Sequence, residues 1–177
     1  MKSALIFVSI FIVFVEVFAQ TKTKFESTKI SFVIKNAGLK VNGSIGGLEG
    51  TMTIDPTSQQ IGKIEGTVDV NTIRTGITLR DNHLKKKDYF NVKDFPKITL
   101  TSTAIKKSGR RKYTGSFNLT IKDTTKKVIV PFSLSEVGNS YKLEGEFSIN
   151  RLDYGLGESS VVLSDNVTIK LEVNAVK

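Results

Sequence analysis

The sequence predicts an all-β fold: eight antiparallel strands in an up-and-down barrel, with one short helix between the third and fourth strands. Two observations carry that prediction. From Ile30 onward, apolar and polar residues alternate with a period of two, as they do where one strand face is buried and the other wet. Only the segment between Gly76 and Asp94 departs from it, taking a helical period before Phe95-Pro96 forces the backbone to extend again. A barrel of eight strands is wide enough to hold one small ligand. A two-sheet sandwich would show the same alternation, and pattern does not decide closure.

The first strand presents Ile30, Phe32 and Ile34 on one face. The second presents Leu48, Met52 and Ile54, while Val41 and Ile45 earlier in it fall on the opposite phase. Gly46-Gly47 separates the two sets, and a bulge there would switch the inward face. Asp55-Pro56-Thr57-Ser58 reads as a turn, followed by Ile64, Gly66, Val68 and Val70 in a third strand. The fourth is expected to turn Ile98, Leu100, Ser102 and Ala104 inward and Ile105 outward. Tyr113, Gly115, Phe117, Leu119 and Ile121 make the fifth, and Val128, Val130, Phe132 and Leu134 the sixth. After the hairpin Val137-Gly138-Asn139-Ser140 come Tyr141, Leu143, Gly145, Phe147 and Ile149, then Val167, Ile169, Leu171, Val173 and Ala175. Glycines 43, 50, 66, 115 and 145 lie inside strands. Curvature on closing the barrel is their ordinary reading, ahead of close approach by a ligand.

In the non-β segment Thr78 is a candidate cap with Asp81 three residues on, and Asp81 stands four before Lys85. Arg80, His83, Leu84 and Lys87 share one helical face, which suits a short lid at one barrel end.

Lys2, the apolar run Ala4 to Val15 and the Val17-Phe18-Ala19 site read as a cleavable export signal over residues 1–19, leaving one domain, 20–177. Glu16 interrupts the run too early for a transmembrane anchor, and no cysteine follows it to carry a lipid. A chain with no cysteine and one histidine has no disulfides, no thiol catalysis and no multi-ligand His or Cys metal site. No catalytic residue, metal or cofactor is therefore expected. Carboxylate pairs such as Asp81 with Asp88, or Asp153 with Asp165, stand at turn-like positions where capping is the commoner role.

The net charge of +9 gathers in Lys85-Lys86-Lys87, Lys106-Lys107, Arg110-Arg111-Lys112 and Lys126-Lys127. Such clusters keep strand edges soluble, or meet anionic lipid head groups at a membrane surface. Basic runs without interleaved aromatics argue against nucleic acid.

The candidate apolar lining comprises Phe32, Ile34, Met52, Val68, Leu100, Phe117, Leu119, Val130, Phe132, Phe147, Ile149, Ile169 and Leu171. Such a lining suits either a packed core, favoured on pattern alone, or a hydrocarbon tunnel. Arg74, Arg80 and His83 are candidates for the polar end of a ligand, since arginine forks match phosphate oxygens. The plainer role for His83 is to dock the helix on a strand-end backbone group.

Several motifs stand in one order along the chain: Thr72-Ile73-x-Thr75, Arg80-Asp81-x-His83-Leu84, Asp88-Tyr89-Phe90 and Phe95-Pro96-Lys97-Ile98. Gly115-x-Phe117-Asn118-Leu119-Thr120-Ile121 with Thr125-Lys126-Lys127-Val128 follows, then Ile149-Asn150-Arg151-Leu152-Asp153-Tyr154-Gly155 and Leu163-Ser164-Asp165-Asn166-Val167-Thr168-Ile169. In this order the chain resembles the YceI-like family. The resemblance implies a lipocalin-like barrel that holds a polyisoprenoid, isoprenoid quinone or fatty amide, usually in the periplasm. It also implies a binding protein that sequesters or carries its lipid, in a family whose members often form homodimers. Phe25 and Thr28 stand where many members have Trp and His, and Asp123 where a hairpin glycine is usual. The rival reading is a non-carrier barrel with a filled core that binds envelope components through its basic surface.

Overall fold

The computed structural model describes residues 20–177; the export signal expected over residues 1–19 lies outside the described residues. Eight strands follow in order: β1 Thr21–Asn36, β2 Leu39–Ile54, β3 Ile61–Arg74, β4 Lys97–Gly109, β5 Lys112–Ile121, β6 Thr124–Val137, β7 Ser140–Asn150 and β8 Leu163–Val176. Each pairs antiparallel with the next and β8 returns to β1, closing the barrel. A helix, α1 (Thr78–Leu84), joins β3 to β4, and a 3₁₀ turn, Arg151–Tyr154, lies between β7 and β8. The sandwich alternative is thereby removed.

Bulges decide which side chains point inward. The β2–β3 register shifts on either side of Gly46, and Gly47 takes φ +65°, open to glycine without strain. Val41 and Ile45 before the bulge and Leu48 after it consequently all face the interior, the phase switch expected there. β3 runs further than its alternation suggests, to Arg74. Its extra residues are held by Thr72, whose hydroxyl accepts from Gly46 N–H (2.7 Å) and donates to Asp69 C=O (2.6 Å). In β4 the expectation fails at one point. A register shift between Ser102 and Ala104 turns Ala104 outward and exposed, and sends Ile105 against the core instead.

Two strand glycines have a cause other than curvature. A Cβ on Gly43 would lie 2.1 Å from the Phe32 ring, its neighbour in register on β1, and one on Gly115 would lie 2.2 Å from the Phe117 ring. Aromatic rings occupy the space a side chain would need. The close approach is by the barrel's own phenylalanines.

The barrel has a filled half and a hollow half. At the end bearing the β2–β3 turn and the β4–β5 and β6–β7 hairpins, Met52, Ile54 and Ala175 are fully buried and Tyr113 nearly so. Tyr113 stacks on Phe132 and donates its hydroxyl to Gln59 C=O at 2.8 Å, sealing this floor. The Asp55 carboxylate accepts from Thr57 N–H and the Ser58 hydroxyl, both at 2.8 Å, which makes the expected Asp55–Ser58 turn.

Towards the other end, β6 and β7 pair only from Phe132↔Gly145 to Val137↔Ser140, so their remaining lengths part. The 3₁₀ turn packs against β6 and β8 there, with Tyr154 buried. Pro131, which has no N–H for a ladder, stands where β6 begins to leave β7.

Candidate functional site: an apolar cavity beneath the helix

The hollow half encloses a cavity of about 390 Å³. Of the apolar candidates, Phe32, Ile34, Val68 and Leu100 line it from β1, β3 and β4. Phe117, Leu119, Val130, Phe132, Phe147, Ile149, Ile169 and Leu171 complete it from β5 through β8. Met52 does not: it is wholly buried in the floor, where β2 has carried it past the cavity. Phe25, Val41, Ile45, Leu48, Ile64, Ile73 and Val173 are additional wall residues. Those near the β2 bulge and the early part of β1 carry no clean alternation, so pattern alone could not place them.

Every polar side chain on the wall, from Asn36, Thr75, Arg80, His83, Tyr89 and Arg151, comes from the helix end. Asn36 and His83 are also exposed to solvent, so the mouth opens between the β1–β2 hairpin and α1. The cavity is thus a closed-bottomed sleeve with an oily wall and a polar rim.

The helix is latched to that rim through one residue. Thr75, buried at the end of β3, donates its N–H (2.7 Å) and its hydroxyl (2.6 Å) to Asp81 Oδ1. Arg80 donates from Nε to the same hydroxyl and from Nη2 to Thr75 C=O, each at 2.7 Å. Arg80 and Asp81 meet through Thr75, and Nη1 of Arg80 has no protein acceptor among the described residues. The Thr75 hydroxyl lowers the Asp81 pKa, with burial opposing and the Thr75 N–H and the Arg74 and Arg80 charges assisting. Thr78 does not cap the helix: the cap position is Ile77, without a side-chain bond, and Asp81 turns back to Thr75 instead.

Among the described residues His83 bonds no strand-end backbone group. Its ring stands edge-on to Tyr89 at 5.0 Å, on the mouth side of the cavity. Arg74 lies outside the cavity: its Nη1 donates to Ile73 C=O at 2.9 Å, on the exposed outer surface. Of the three polar candidates, the fold brings Arg80 and His83 together at the rim and leaves Arg74 out.

Arg151 is a wall residue that sequence reasoning did not single out. It is 3% exposed, and donates to Leu156 C=O (2.8 Å), Ser164 C=O (3.0 Å) and Asp165 Oδ1 (2.9 Å). Its position in the Ile149-to-Gly155 motif was the available signal. These bonds fold the β7–β8 connection over the mouth, where Gly157 N–H also donates to Asp88 C=O at 2.8 Å. The carboxylates of Asp81 and Asp165 are thus both engaged in holding connections.

Comparison with known proteins places this geometry. The family model described as "YceI-like domain" matches residues 22–175. A UPF0312 protein of Yersinia enterocolitica is 31% identical over 155 residues, covering 84% of this chain and 80% of that one. The crystal structure of Burkholderia cenocepacia BcnA superposes with TM-score 0.78 at 26% identity, covering 83% of this chain and 95% of that one. A Campylobacter jejuni YceI protein gives TM-score 0.73 at 25% identity, with 77% and 85% covered. A Saccharophagus degradans domain described as polyisoprenoid-binding shares the fold at TM-score 0.70 and 14% identity, with 89% and 99% covered. By sequence match and barrel architecture together, the chain belongs to the YceI-like family.

Proposed function

We propose that this barrel binds a single long-chain amphipathic lipid, its tail in the cavity and its polar end at the rim, and sequesters or carries it. The observation that carries the reading is the segregation of the wall: apolar from floor to rim, with every polar side chain at the mouth. A cavity of about 390 Å³ falls within the usual range for ligand pockets. Burial of hydrocarbon, at about 0.8 kcal/mol per CH₂, supplies affinity without any specific polar contact. Arg80, through its uncommitted Nη1, and the exposed His83 would meet a phosphate, carbonyl or amide head.

The family and the description of the Saccharophagus degradans domain support an isoprenoid tail, as a polyprenyl phosphate or quinone; a fatty amide shares the plan of a long apolar tail with a polar head. The expected leader over residues 1–19 supports a periplasmic or secreted site of action. The role is binding without turnover. The filled-core alternative fits only the floor half of the barrel.

The test is native mass spectrometry with organic extraction of protein purified from its own envelope. One bound lipid per chain is expected, with a shorter tail when Leu100 or Leu171 is replaced by Trp, which takes volume from the cavity. A ligand-free chain that also fails to take up isoprenoid quinones and fatty amides would overturn the proposal. Arg80→Ala and His83→Ala are expected to weaken polar-headed lipids more than plain hydrocarbons of equal length.

A further inference from the structure

We propose that the mouth end of the barrel is a membrane-docking face, on which exposed apolar tips enter an anionic bilayer and surrounding lysines hold its head groups. The large hydrophobic residues that the fold leaves exposed are unevenly placed. Leu39 (74% exposed), Ile77, Leu79 (82%), Val161 (105%) and Val162 stand on the β1–β2 hairpin, the start of α1 and the β7–β8 connection. These are three of the four connections at the mouth end, and two are tied directly by Ala37 N–H to Val162 C=O at 2.7 Å.

The inner face of α1 is spent on the cavity through Arg80, His83 and Leu84. Leu79 on its outer face has no such role. Among the described residues the floor end, by contrast, exposes Val137 alone on its hairpins, and Ile129 stands singly on the barrel wall. Isolated apolar side chains on a surface are ordinary, but a group on adjoining connections around a pocket mouth marks an interaction surface.

Charge complementarity selects the partner. Lys35, Lys40, Lys86, Lys87, Lys93 and Lys97 are exposed on or beside the β1–β2 hairpin and the α1 connection, and outnumber the exposed acids of these three connections, Asp88, Asp94, Asp153 and Glu158. Apolar tips among lysines suit the boundary of a bilayer carrying anionic lipid, where tips bury in the acyl region and ammonium groups stay at phosphate level. A protein partner would be expected to offer acids to the lysines; a second copy of this basic chain repels them. The docked orientation turns the cavity mouth to the bilayer, so a lipid could pass between the two without crossing water. Docking itself does not depend on what fills the cavity, and it can fail or succeed independently of the ligand proposal.

The absence of native cysteine makes a site-specific test direct. Leu79→Cys, Val161→Cys, Ile129→Cys and Val137→Cys variants of the full chain, expressed in an exporting host, are each labelled with a polarity-sensitive dye. They are then mixed with vesicles of phosphatidylethanolamine and phosphatidylglycerol, or of phosphatidylcholine alone. The expected result is a blue shift at positions 79 and 161 with the anionic vesicles, weakened by salt, and none at 129 or 137. Leu79→Glu with Val161→Glu should lower vesicle affinity by roughly tenfold or more, while uptake of a fatty-amide probe from detergent stays unchanged. Equal shifts at all four sites, capture without a shift at 79 and 161, or equal binding to neutral vesicles would each overturn the proposal. So would a blue shift before vesicles are added, accompanied by a dimer mass in light scattering.

Discussion

Tyr154 carries a buried hydroxyl without a hydrogen-bond partner among the described residues. Burial, and then the neighbouring Asp153 charge, push its pKa from 10.0 up to about 12. An unfolded chain releases this proton near pH 10 while the folded chain keeps it, so stability falls as pH rises between the two values. The contribution is at most roughly 2–3 kcal/mol. Tyr154→Phe keeps the ring that fills the β6–β7 gap and removes the orphaned group. It is expected to raise stability by about 1 kcal/mol at neutral pH and to flatten the alkaline loss, as read by urea titrations on both sides of pH 10. An unchanged alkaline slope would show that Tyr154 does not carry it. Gly43 offers a second test at this scale, because its missing Cβ makes room for the Phe32 ring. Gly43→Ala should drive that ring into the cavity, costing about 1–3 kcal/mol and weakening the binding of a fluorescent fatty acid. Binding at full strength would mean that the ring moves elsewhere.

At the scale of elements, legibility followed how far a residue's burial depends on its own strand. β5, with Tyr113, Gly115, Phe117, Leu119 and Ile121 all buried, reads directly: its ladder with β6 is unbroken, the shifts in its ladder with β4 put the extra residue on β4, and one face meets the interior throughout. Ala104 and Ile105 did not, since the shift that exchanges them arises from pairing with β5, which alternation in β4 does not encode. The start of β1 and the end of β3 were missed for a related reason: polar or β-branched residues there are held by partners, as Thr23 is by Met52 C=O at 3.0 Å. At the cavity, Arg80 and His83 were legible from helical spacing, whereas Arg151 required the fold to bring Ser164 and Asp165 beneath it. Replacing Arg151 with Met would leave the Leu156 and Ser164 carbonyls short of a donor while water takes up the part-exposed Asp165 carboxylate, at a cost of about 1–3 kcal/mol, measurable in a urea titration. The helix latch is tested by pH. The Asp81 pKa is depressed below 3.8, so its contribution is complete above the usual carboxylate range and is lost only as pH falls through the lowered value. Amide protection across residues 75–84, taken relative to the unfolded chain at the same pH, should therefore stay high at about pH 5 and fall in stronger acid. Asp81→Ala should lower it throughout, and low protection in mild acid with Asp81 intact would rule out this latch.

For the whole molecule, the division into a sealed floor and a hollow half makes a quantitative demand on any ligand. Each methylene that enters the sleeve should strengthen binding by about 0.8 kcal/mol, or roughly fourfold. The demand ends where the sleeve ends. Tyr113 and its bond to Gln59 C=O close the bottom, so a tail too long for a cavity of about 390 Å³ must emerge at the mouth between Asn36 and His83. Carbons beyond the rim remain wet in solution and add nothing. Affinity across a series of fatty amides of increasing length should accordingly rise steeply and then level off, as followed by displacement of a fluorescent fatty acid. Leu171→Trp should move the plateau to shorter chains, because it subtracts volume from the sleeve without touching the rim. Arg80→Ala should instead shift the whole curve downward at every length, because it acts on the head. A curve with no length dependence would locate binding outside the sleeve. A curve still rising at the longest chains would mean that the floor opens, and that the fully buried Met52 and Ile54 yield to the ligand.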